Sequence, residues 1–318
     1  MRITKNLKKI KGDASFRFFF RNKKKNSSSI IVYTKKDKKK NLLIYDAINK
    51  ILIKNNILAP RLINENYSKN FIEIQDFGNQ TIFHFLKKNS KGKLSIFKKI
   101  INLLVKIQLI KDTKVTNFKK QNYIVPKYSS KILLEEAKLF SKWYVPQKLS
   151  KTNQSKFKRD YEKEIKILIK KISLKNDVFV HRDFHISNLM LINSKIGLID
   201  TQDALIGNKA YDLASLIDDV RFKTSNIMKE KIFDIYLKSQ KKLSVKKFRN
   251  DFEIISVLRN LKIIGIFTRL AIRDNKKDYL RLIPYTWSLI RLKLKNNEIF
   301  NSLNILLDKI LPSNKLDK

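Results

Sequence analysis

The chain has no cysteine, only three histidines and few acidic residues. Its 318 residues include 28 Asp and Glu against 70 Lys and Arg, which gives a formal net charge of +42. Without cysteine the chain can form no disulfide bond, no thiolate metal site and no cysteine nucleophile. It has no uninterrupted apolar run long enough to span a bilayer, and its basic N-terminus lacks the apolar core of a signal peptide. We therefore expect a cytoplasmic protein with no membrane partner.

The positive charge alone would suggest a nucleic acid as partner. The lysines are spread along the whole chain, however, and they accompany abundant isoleucine and asparagine. All three residues have A/T-rich codons, so genome composition is a sufficient cause of the charge. The sequence also has neither a zinc-finger spacing nor an aromatic RNA-binding signature. We expect no dedicated nucleic-acid binding, although a positive surface would attract anionic nucleotides.

One polar segment between apolar runs carries the most informative motif. His181, Arg182, Asp183 and Asn188 match the kinase catalytic-loop pattern H-R-D-x-x-x-x-N. An aspartate at this place can take the proton from an attacking hydroxyl, and an asparagine oxygen can ligate Mg²⁺. We therefore predict that Asp183 is the catalytic base and that Asn188 is a magnesium ligand.

The surroundings of the motif support this interpretation. Residues 178–180, 189–192 and 196–199 are short apolar runs, and the polar residues 193–195 indicate a turn between the second and third. The predicted order is strand, polar loop, strand, turn, strand. Asp200 ends the last run, at the place of a second metal-binding carboxylate, and we predict that it is the other magnesium ligand.

The pattern of apolar residues changes near residue 78. Before it, the sequence predicts strands, a lysine-rich hairpin tip and one helix: a strand at 15–20, the tip at 21–29, the returning strand at 30–34, the helix at 42–54, and strands at 59–63 and 71–75. After it, the sequence is mainly helical, at about 81–88, 94–110, 130–144, 155–172, 210–221, 226–238, 245–272 and 276–295. We predict an α+β, bilobal fold, with a small β-rich N-lobe at 1–78 and a larger, mainly helical C-lobe at 79–318.

Two stretches of the N-lobe are candidates for nucleotide binding. Gly12, Asp13, Ala14 and Ser15 precede the predicted hairpin, where small residues would let backbone N–H groups approach phosphate oxygens. Gln75, Asp76 and Gly78 lie at the predicted hinge between the lobes, where the adenine would bind.

The cation that would anchor the nucleotide phosphates is not evident. Kinases usually pair a strand lysine with a helix glutamate, but the strand at 30–33 has no lysine and the helix at 42–54 has no glutamate. Arg17 and Arg21 can contact phosphate, although strand arginines more often face solvent. The phosphate-anchoring cation therefore remains unassigned by the sequence.

Four further residues near the motif have a possible role. We expect His181 to be a buried structural histidine, hydrogen-bonded to the backbone. His185 lies between Asp183 and Asn188, where an acceptor hydroxyl can reach it, and Gln202 and Asp203 follow Asp200 directly. We predict that His185, Gln202 and Asp203 contact the acceptor. The alternative for Gln202 and Asp203 is that they orient the loop.

Several segments resemble the aminoglycoside phosphotransferase and choline kinase superfamily of small-molecule kinases. The likeness is closest to the bacterial anomeric N-acetylmuramate and N-acetylglucosamine kinases of cell-wall recycling, and it lies in residues 12–17, 181–190, 197–204, 207–215 and 259–270. The resemblance implies an ATP-dependent kinase with a protein-kinase-like fold that requires Mg²⁺. It implies as acceptor the anomeric hydroxyl of one of these amino sugars, and a role in peptidoglycan recycling.

Two alternatives remain open at this point. The same fold can phosphorylate an aminoglycoside, choline or an amino-alcohol, but a cationic acceptor requires an acidic pocket and the chain is poor in acids. Alternatively, the chain is a non-catalytic kinase-like module that binds nucleic acid. The missing strand lysine favours that hypothesis, whereas the presence of Asp183, Asn188 and Asp200 opposes it.

Overall fold

The protein divides into two compact units. The computed structural model describes residues 7–10, 17–25, 27–89 and 92–311. One unit comprises Met1–Pro126 and Val178–Ile206, and the other comprises Lys127–Asp177 and Gly207–Lys318. The first unit contains the main β-sheet together with the catalytic motif, and the second is mainly helical. The lobe boundary near residue 78 stays a prediction.

The secondary structure follows the predicted change from strands to helices. The strands are β1 (Leu7–Ile10), β2 (Phe18–Lys24), β3 (Ser27–Tyr33), β4 (Leu62–Asn66), β5 (Phe71–Gln75), β6 (Lys114–Thr116), β7 (Asn122–Ile124), β8 (Asn176–Val180), β9 (Leu189–Ile192), β10 (Lys195–Leu198) and β11 (Leu205–Asn208). The helices are α1 (Lys40–Lys54), α2 (Ile82–Lys88), α3 (Lys93–Gln108), α4 (Ser130–Leu139), α5 (Lys151–Lys170), α6 (Ala210–Ile217), α7 (Asn226–Lys238), α8 (Val245–Arg273), α9 (Ile283–Asn296) and α10 (Asn301–Asp308).

The main sheet of the first unit is antiparallel and has five strands in the order β1-β2-β3-β5-β4. Alternate residues of a strand face the same side, so Val32 of β3 and Ile72 and Ile74 of β5 form one apolar face. Leu42 and Tyr45 of α1 pack against this face and complete the core. The sheet and α1 therefore form the β-rich part that the sequence predicts.

The hairpin of β2 and β3 differs from the prediction. The sequence predicts a long polar tip at 21–29, but the strands stay paired from Phe18↔Tyr33 to Lys24↔Ser27. The polar residues remain in the strands because they find partners on neighbouring segments. Arg21 forms an ion pair with Asp76 at 2.6 Å, and Ser29 donates a hydrogen bond to Glu73 of β5. The prediction of a long tip was therefore wrong.

The strands around the catalytic motif confirm the predicted order. β8 precedes the polar loop, and β9 and β10 form an antiparallel hairpin with Ile192 opposite Lys195. Asn193 and Ser194 connect these strands and have φ angles of 45° and 65°. Two consecutive residues with positive φ are typical of the tight hairpin turn whose twist matches the flanking strands.

The second unit is built around α8, which packs against α4, α6 and α9. Because helices surround it, α8 is buried on most of its sides, including at Ile264 and Phe267. Serine N-caps start α4, α7 and α8, through Ser129, Ser225 and Ser244.

Several boundaries in the two units were not predicted. The predicted helix at 130–144 leaves α-helical geometry after Leu139 and continues as a π-turn, and the one at 276–295 is a 3₁₀ segment followed by α9. β1, β6, β7 and α10 were not predicted, because they are short or mostly polar. Among the described residues, no helix combines the length and apolar character needed to cross a bilayer.

Candidate active site

The catalytic loop follows β8 in the first unit and has a constrained backbone. Arg182 has φ of 72°, a left-handed conformation that is uncommon for a residue with a side chain. The loop then closes on itself, because the backbone N–H of His185 donates to the carbonyl of Asp183 at 2.9 Å and that of Asn188 to the carbonyl of His185 at 2.9 Å. Asp183 is half-buried in this turn. Its carboxylate is thus carried by a tight, hydrogen-bonded loop.

Asn188 is oriented by the same loop. Its side-chain nitrogen donates to the backbone carbonyl of Asp183 at 3.0 Å and lies 3.4 Å from Nε2 of His185. Because the nitrogen is used within the loop, the amide oxygen is the atom left to ligate a cation.

The β9–β10 hairpin brings Asp200 next to Asn188. Leu189 pairs with Leu198 at the open end of the hairpin, and the backbone N–H of Ile199 donates to the carbonyl of Asn188 at 3.1 Å. Asp200 itself has φ of 61°, so the chain turns sharply at the carboxylate. The two predicted metal ligands therefore flank one hairpin: Asn188 ends the hydrogen-bonded loop, and Asp200 itself has the constrained backbone.

The charges around Asp200 fit a divalent cation. Burial is the main cause that raises the pKa of Asp200; the Arg17 guanidinium opposes the rise, and the Asp183 and Asp203 carboxylates add to it. Carboxylates that raise the pKa of a neighbour form a set that a cation would neutralise. In the described part of the chain, no group of three or more His, Cys, Asp or Glu side chains could hold a metal ion. Carboxylates and one amide still suit Mg²⁺, which commonly binds one or two carboxylates together with substrate phosphates.

Arg17 is the residue that sequence reasoning placed wrongly. The sequence favoured exposure to solvent over contact with phosphate, but Arg17 is only 6% exposed, and its Nη2 lies 2.7 Å from Oδ1 of Asp200. The partners are 183 residues apart in sequence, so no local pattern indicates their contact. One signal was available: Asn41, Tyr45 and Asn49 interrupt the apolar face of α1 at four-residue spacing, which marks a polar contact on that face.

The predicted hinge is organised around Asp76. Its carboxylate accepts hydrogen bonds from Arg21 at 2.6 and 3.0 Å, from Ser28 at 2.8 Å and from the backbone N–H of Gly78 at 2.8 Å. Burial alone would raise the pKa of Asp76, but these hydrogen bonds outweigh it and lower the pKa. Gly78 has φ of 81°, and Gln75 is exposed. Asp76 thus fixes the backbone at the predicted hinge. Its ion pair with Arg21 also means that the Arg21 side chain is paired and does not point freely into solvent.

The other predicted site residues differ in exposure. His181 is buried, with Nε2 3.0 Å from the carbonyl oxygen of Ile199, which fits the structural role expected for it. His185 is buried within the loop, and Gln202 is buried and donates to Asp203 at 2.6 Å, while Asp203 is exposed.

Contacts of His185, Gln202 and Asp203 with an acceptor stay predictions, as do the roles of Asp183, Asn188 and Asp200. Gly12, Asp13, Ala14 and Ser15 lie outside the described residues.

Two bacterial sugar kinases are similar to the chain over most of its length. The N-acetylmuramate/N-acetylglucosamine kinase of Neisseria meningitidis serogroup B is 26% identical over 290 residues, covering 88% of this chain and 83% of the relative. The enzyme of the same name from Pseudomonas putida is 26% identical over 291 residues, covering 90% of this chain and 82% of the relative.

Solved structures of small-molecule kinases share the fold. A choline/ethanolamine kinase family protein from Mesorhizobium loti superposes with a TM-score of 0.63 at 10% identity, covering 94% of this chain and 92% of that one. The gentamicin complex of APH(2")-IIa superposes with a TM-score of 0.63 at 14% identity, covering 89% and 91%. These neighbours confirm the predicted protein-kinase-like fold.

The family assignment covers both the main sheet and the catalytic loop. Residues 6–243 match the phosphotransferase enzyme family, APH. This span includes Arg17, Asp183, Asn188 and Asp200, and it confirms the superfamily to which the sequence motifs pointed. The chain therefore belongs to the APH phosphotransferase enzyme family.

Proposed function

We propose that this phosphotransferase is an ATP-dependent kinase that transfers the γ-phosphoryl group to the anomeric hydroxyl of N-acetylmuramate or N-acetylglucosamine. The observation that carries the reaction is the hairpin that sets Asn188 beside Asp200, next to the loop that holds Asp183. The choice of acceptor rests on the similar sugar kinases, which cover 88–90% of the chain. The proposed compartment is the cytoplasm, where ATP is supplied.

Each site residue has a defined part in this proposal. Asp183 accepts the proton of the attacking hydroxyl or orients it. Asn188 and Asp200 would hold Mg²⁺, which neutralises charge on the phosphoryl oxygens when it is bound. The adenine binds along residues 75–78, and the backbone N–H groups of residues 12–15 approach the phosphates.

The acceptor is bound by His185, Gln202 and Asp203 in this proposal. N-acetylglucosamine is neutral and N-acetylmuramate carries a carboxylate. A chain with 28 acidic against 70 basic residues suits such acceptors better than a polycationic aminoglycoside, which requires a locally acidic pocket.

An acceptor panel tests the function. The purified chain is incubated with Mg·ATP and one of N-acetylmuramate, N-acetylglucosamine, kanamycin or choline, and ADP release is followed with a coupled assay. We expect turnover with the amino sugars alone, and ³¹P NMR should show a phosphate coupled to the anomeric proton. The 1-O-methyl glycoside of N-acetylglucosamine is the matched control, because it lacks only the free anomeric hydroxyl.

The outcomes separate the alternatives. Turnover of the methyl glycoside would show that the phosphoryl group is transferred to a hydroxyl other than the anomeric one. Turnover of kanamycin or choline, with no turnover of the sugars, would show that the chain is a kinase with a different class of acceptor. If the chain binds no nucleotide at all, the kinase proposal itself is wrong.

A further inference from the structure

The strand and helix that usually anchor nucleotide phosphates have unusual residues in this chain. β3 presents Ile31, Val32 and Tyr33 where a kinase has its lysine, and α1 contains no glutamate. Phosphoryl transfer depends on charge neutralisation around the phosphates, so an enzyme of this fold needs another cation there. The ion pair of Arg17 with Asp200 supplies a candidate.

Arg17 is held beside Asp200 by more than this ion pair. Its Nη1 donates to Oδ1 of Asn41 at 3.3 Å, and its guanidinium lies 5.8 Å from the ring centre of Phe19. The guanidinium is desolvated and preorganised next to the predicted metal carboxylate.

One face of α1 supports this arrangement with uncharged side chains. Asn41, Tyr45 and Asn49 recur every four residues and so lie on one side of the helix. Asn41 accepts from Arg17, and Asn49 accepts a hydrogen bond of 2.6 Å from Oγ1 of Thr201, the residue after Asp200. The neutral amides of Asn41 and Asn49 thus contact Arg17 and Thr201, the residue after Asp200. They have the position on α1 that a charged glutamate has in other kinases.

We propose that Arg17 is the phosphate-anchoring cation of this enzyme and that Asp200 holds it in place while the nucleotide site is empty. When Mg·nucleotide binds, the Arg17 guanidinium breaks its ion pair with Asp200 and donates hydrogen bonds to phosphate oxygens instead. A guanidinium offers five N–H donors in a fork that matches phosphate geometry. The carboxylate is thereby released to the metal. This inference rests on the proposed function as far as nucleotide binding, and it does not depend on the acceptor.

The proposal predicts opposite changes in two affinities when Arg17 is removed. Without nucleotide, Arg17 competes with a divalent cation for Asp200, so its loss should strengthen metal binding. With nucleotide, Arg17 contributes charged hydrogen bonds to phosphate, so its loss should weaken nucleotide binding. A residue with only a structural role would weaken both affinities, because damage to the fold disorders the whole site.

The experiment compares Arg17→Met with the parent and with Arg249→Met. Arg249 pairs with Glu230 at 3.0 Å on the surface of the second unit, so its substitution removes the same kind of side chain from a residue that has no part in the proposed site. Mn²⁺ binding without nucleotide is measured by electron paramagnetic resonance, and binding of a fluorescent ADP analogue with Mg²⁺ is measured by anisotropy. We expect Arg17→Met to bind Mn²⁺ at least about threefold more tightly and the ADP analogue about ten- to a hundredfold more weakly.

Other results would overturn the proposal. If Arg17→Met leaves ADP affinity unchanged, Arg17 does not anchor phosphate; if both affinities fall together, its role is structural. Arg17→Lys serves if Arg17→Met does not fold. It should retain the parent's weak Mn²⁺ binding and lose part of the ADP affinity, since a point charge cannot form the bidentate contact; full ADP affinity would contradict the inference. A parent chain that binds no ADP would overturn the proposed function instead.

Discussion

Gly265 of α8 and Leu139 at the end of α4 are in direct backbone contact. A Cβ atom at residue 265 would lie 2.3 Å from the carbonyl carbon of Leu139 and 2.4 Å from its oxygen. Alanine would normally stabilise a helix interior by about 1 kcal/mol relative to glycine. Because backbone atoms cannot move aside as a side chain can, the overlap should outweigh this gain.

We therefore expect Gly265→Ala to lower the free energy of unfolding by about 2 kcal/mol or more, measured by urea denaturation. Gly197→Ala is the matched control. A Cβ at residue 197 would meet only side-chain atoms, Cδ1 of Ile192 at 2.8 Å and a ring carbon of Phe77 at 2.9 Å, and side chains can shift more readily than backbone. If Gly197→Ala lowered the free energy of unfolding as much as Gly265→Ala, this account would be contradicted.

Asp183→Asn should lower turnover by roughly two to four decades, the range for a lost general base, while nucleotide affinity changes little. The asparagine preserves the shape of the side chain, and the backbone hydrogen bonds of His185 and Asn188 do not depend on the charge of residue 183. Steady-state kinetics and a nucleotide titration measure the two effects. Asp177→Asn makes the same substitution at an exposed position of β8 and should leave turnover unchanged. Turnover of Asp183→Asn within a few-fold of the parent would exclude Asp183 as the base.

Asp200→Ala should remove the Mg²⁺ dependence of nucleotide binding. Asn188 would remain as a neutral ligand, and a neutral amide is weak for a cation that releases its water reluctantly. Calorimetric titrations with ADP, with and without Mg²⁺, measure the dependence, and the metal-free titration serves as the control for folding. The same enhancement by Mg²⁺ in Asp200→Ala and in the parent would show that Asp200 is not a ligand.

Asp218 should make the second unit sensitive to acid. The carboxylate is buried between Lys229 at 2.9 Å and Lys293 at 2.5 Å, and it accepts a hydrogen bond from Ser256. Burial alone would raise its pKa, but the two lysine charges outweigh burial and hold the pKa well below the ordinary value. The stabilisation from Asp218 is therefore complete above the unfolded pKa of about 3.9 and is lost as pH falls below it.

The measurement is the free energy of unfolding against pH for the parent and for Asp218→Asn. At neutral pH the substitution should cost about 3–5 kcal/mol, because it leaves buried lysine charges without their partner. The difference between the two proteins should shrink as the pH falls below about 4. A difference that is constant over this range would mean that the loss comes from packing rather than charge.

Local sequence patterns predicted most helices and the strands of the catalytic motif. The apolar runs around Asn193 and Ser194 identified β9 and β10 because a hairpin is encoded within a few residues. α10 was missed although its buried residues Leu303, Leu306 and Leu307 have helical spacing, because the helix has only eight residues.

The wrong predictions for the β2–β3 hairpin and for Arg17 share a physical cause, which is a partner far away in sequence. The polar residues of β2 and β3 were interpreted as a loop tip, yet Arg21 is satisfied by Asp76 and Ser29 by Glu73. Arg17 was misplaced for the same reason, because its partner Asp200 lies in another part of the chain. A single sequence reports the cost of burying a charge but not the group that compensates for it.

The β9–β10 hairpin also gives the site a particular order of assembly. Asn188 and Asp200 are joined by a short local segment, and hairpins of this kind form within microseconds. Arg17 reaches Asp200 only after the distant β2 strand has paired. During folding we therefore expect the two predicted metal ligands, Asn188 and Asp200, to come together before Arg17 reaches Asp200. Detachment of β1 and β2 from the folded protein would reverse this last step and expose the carboxylate to free metal ions.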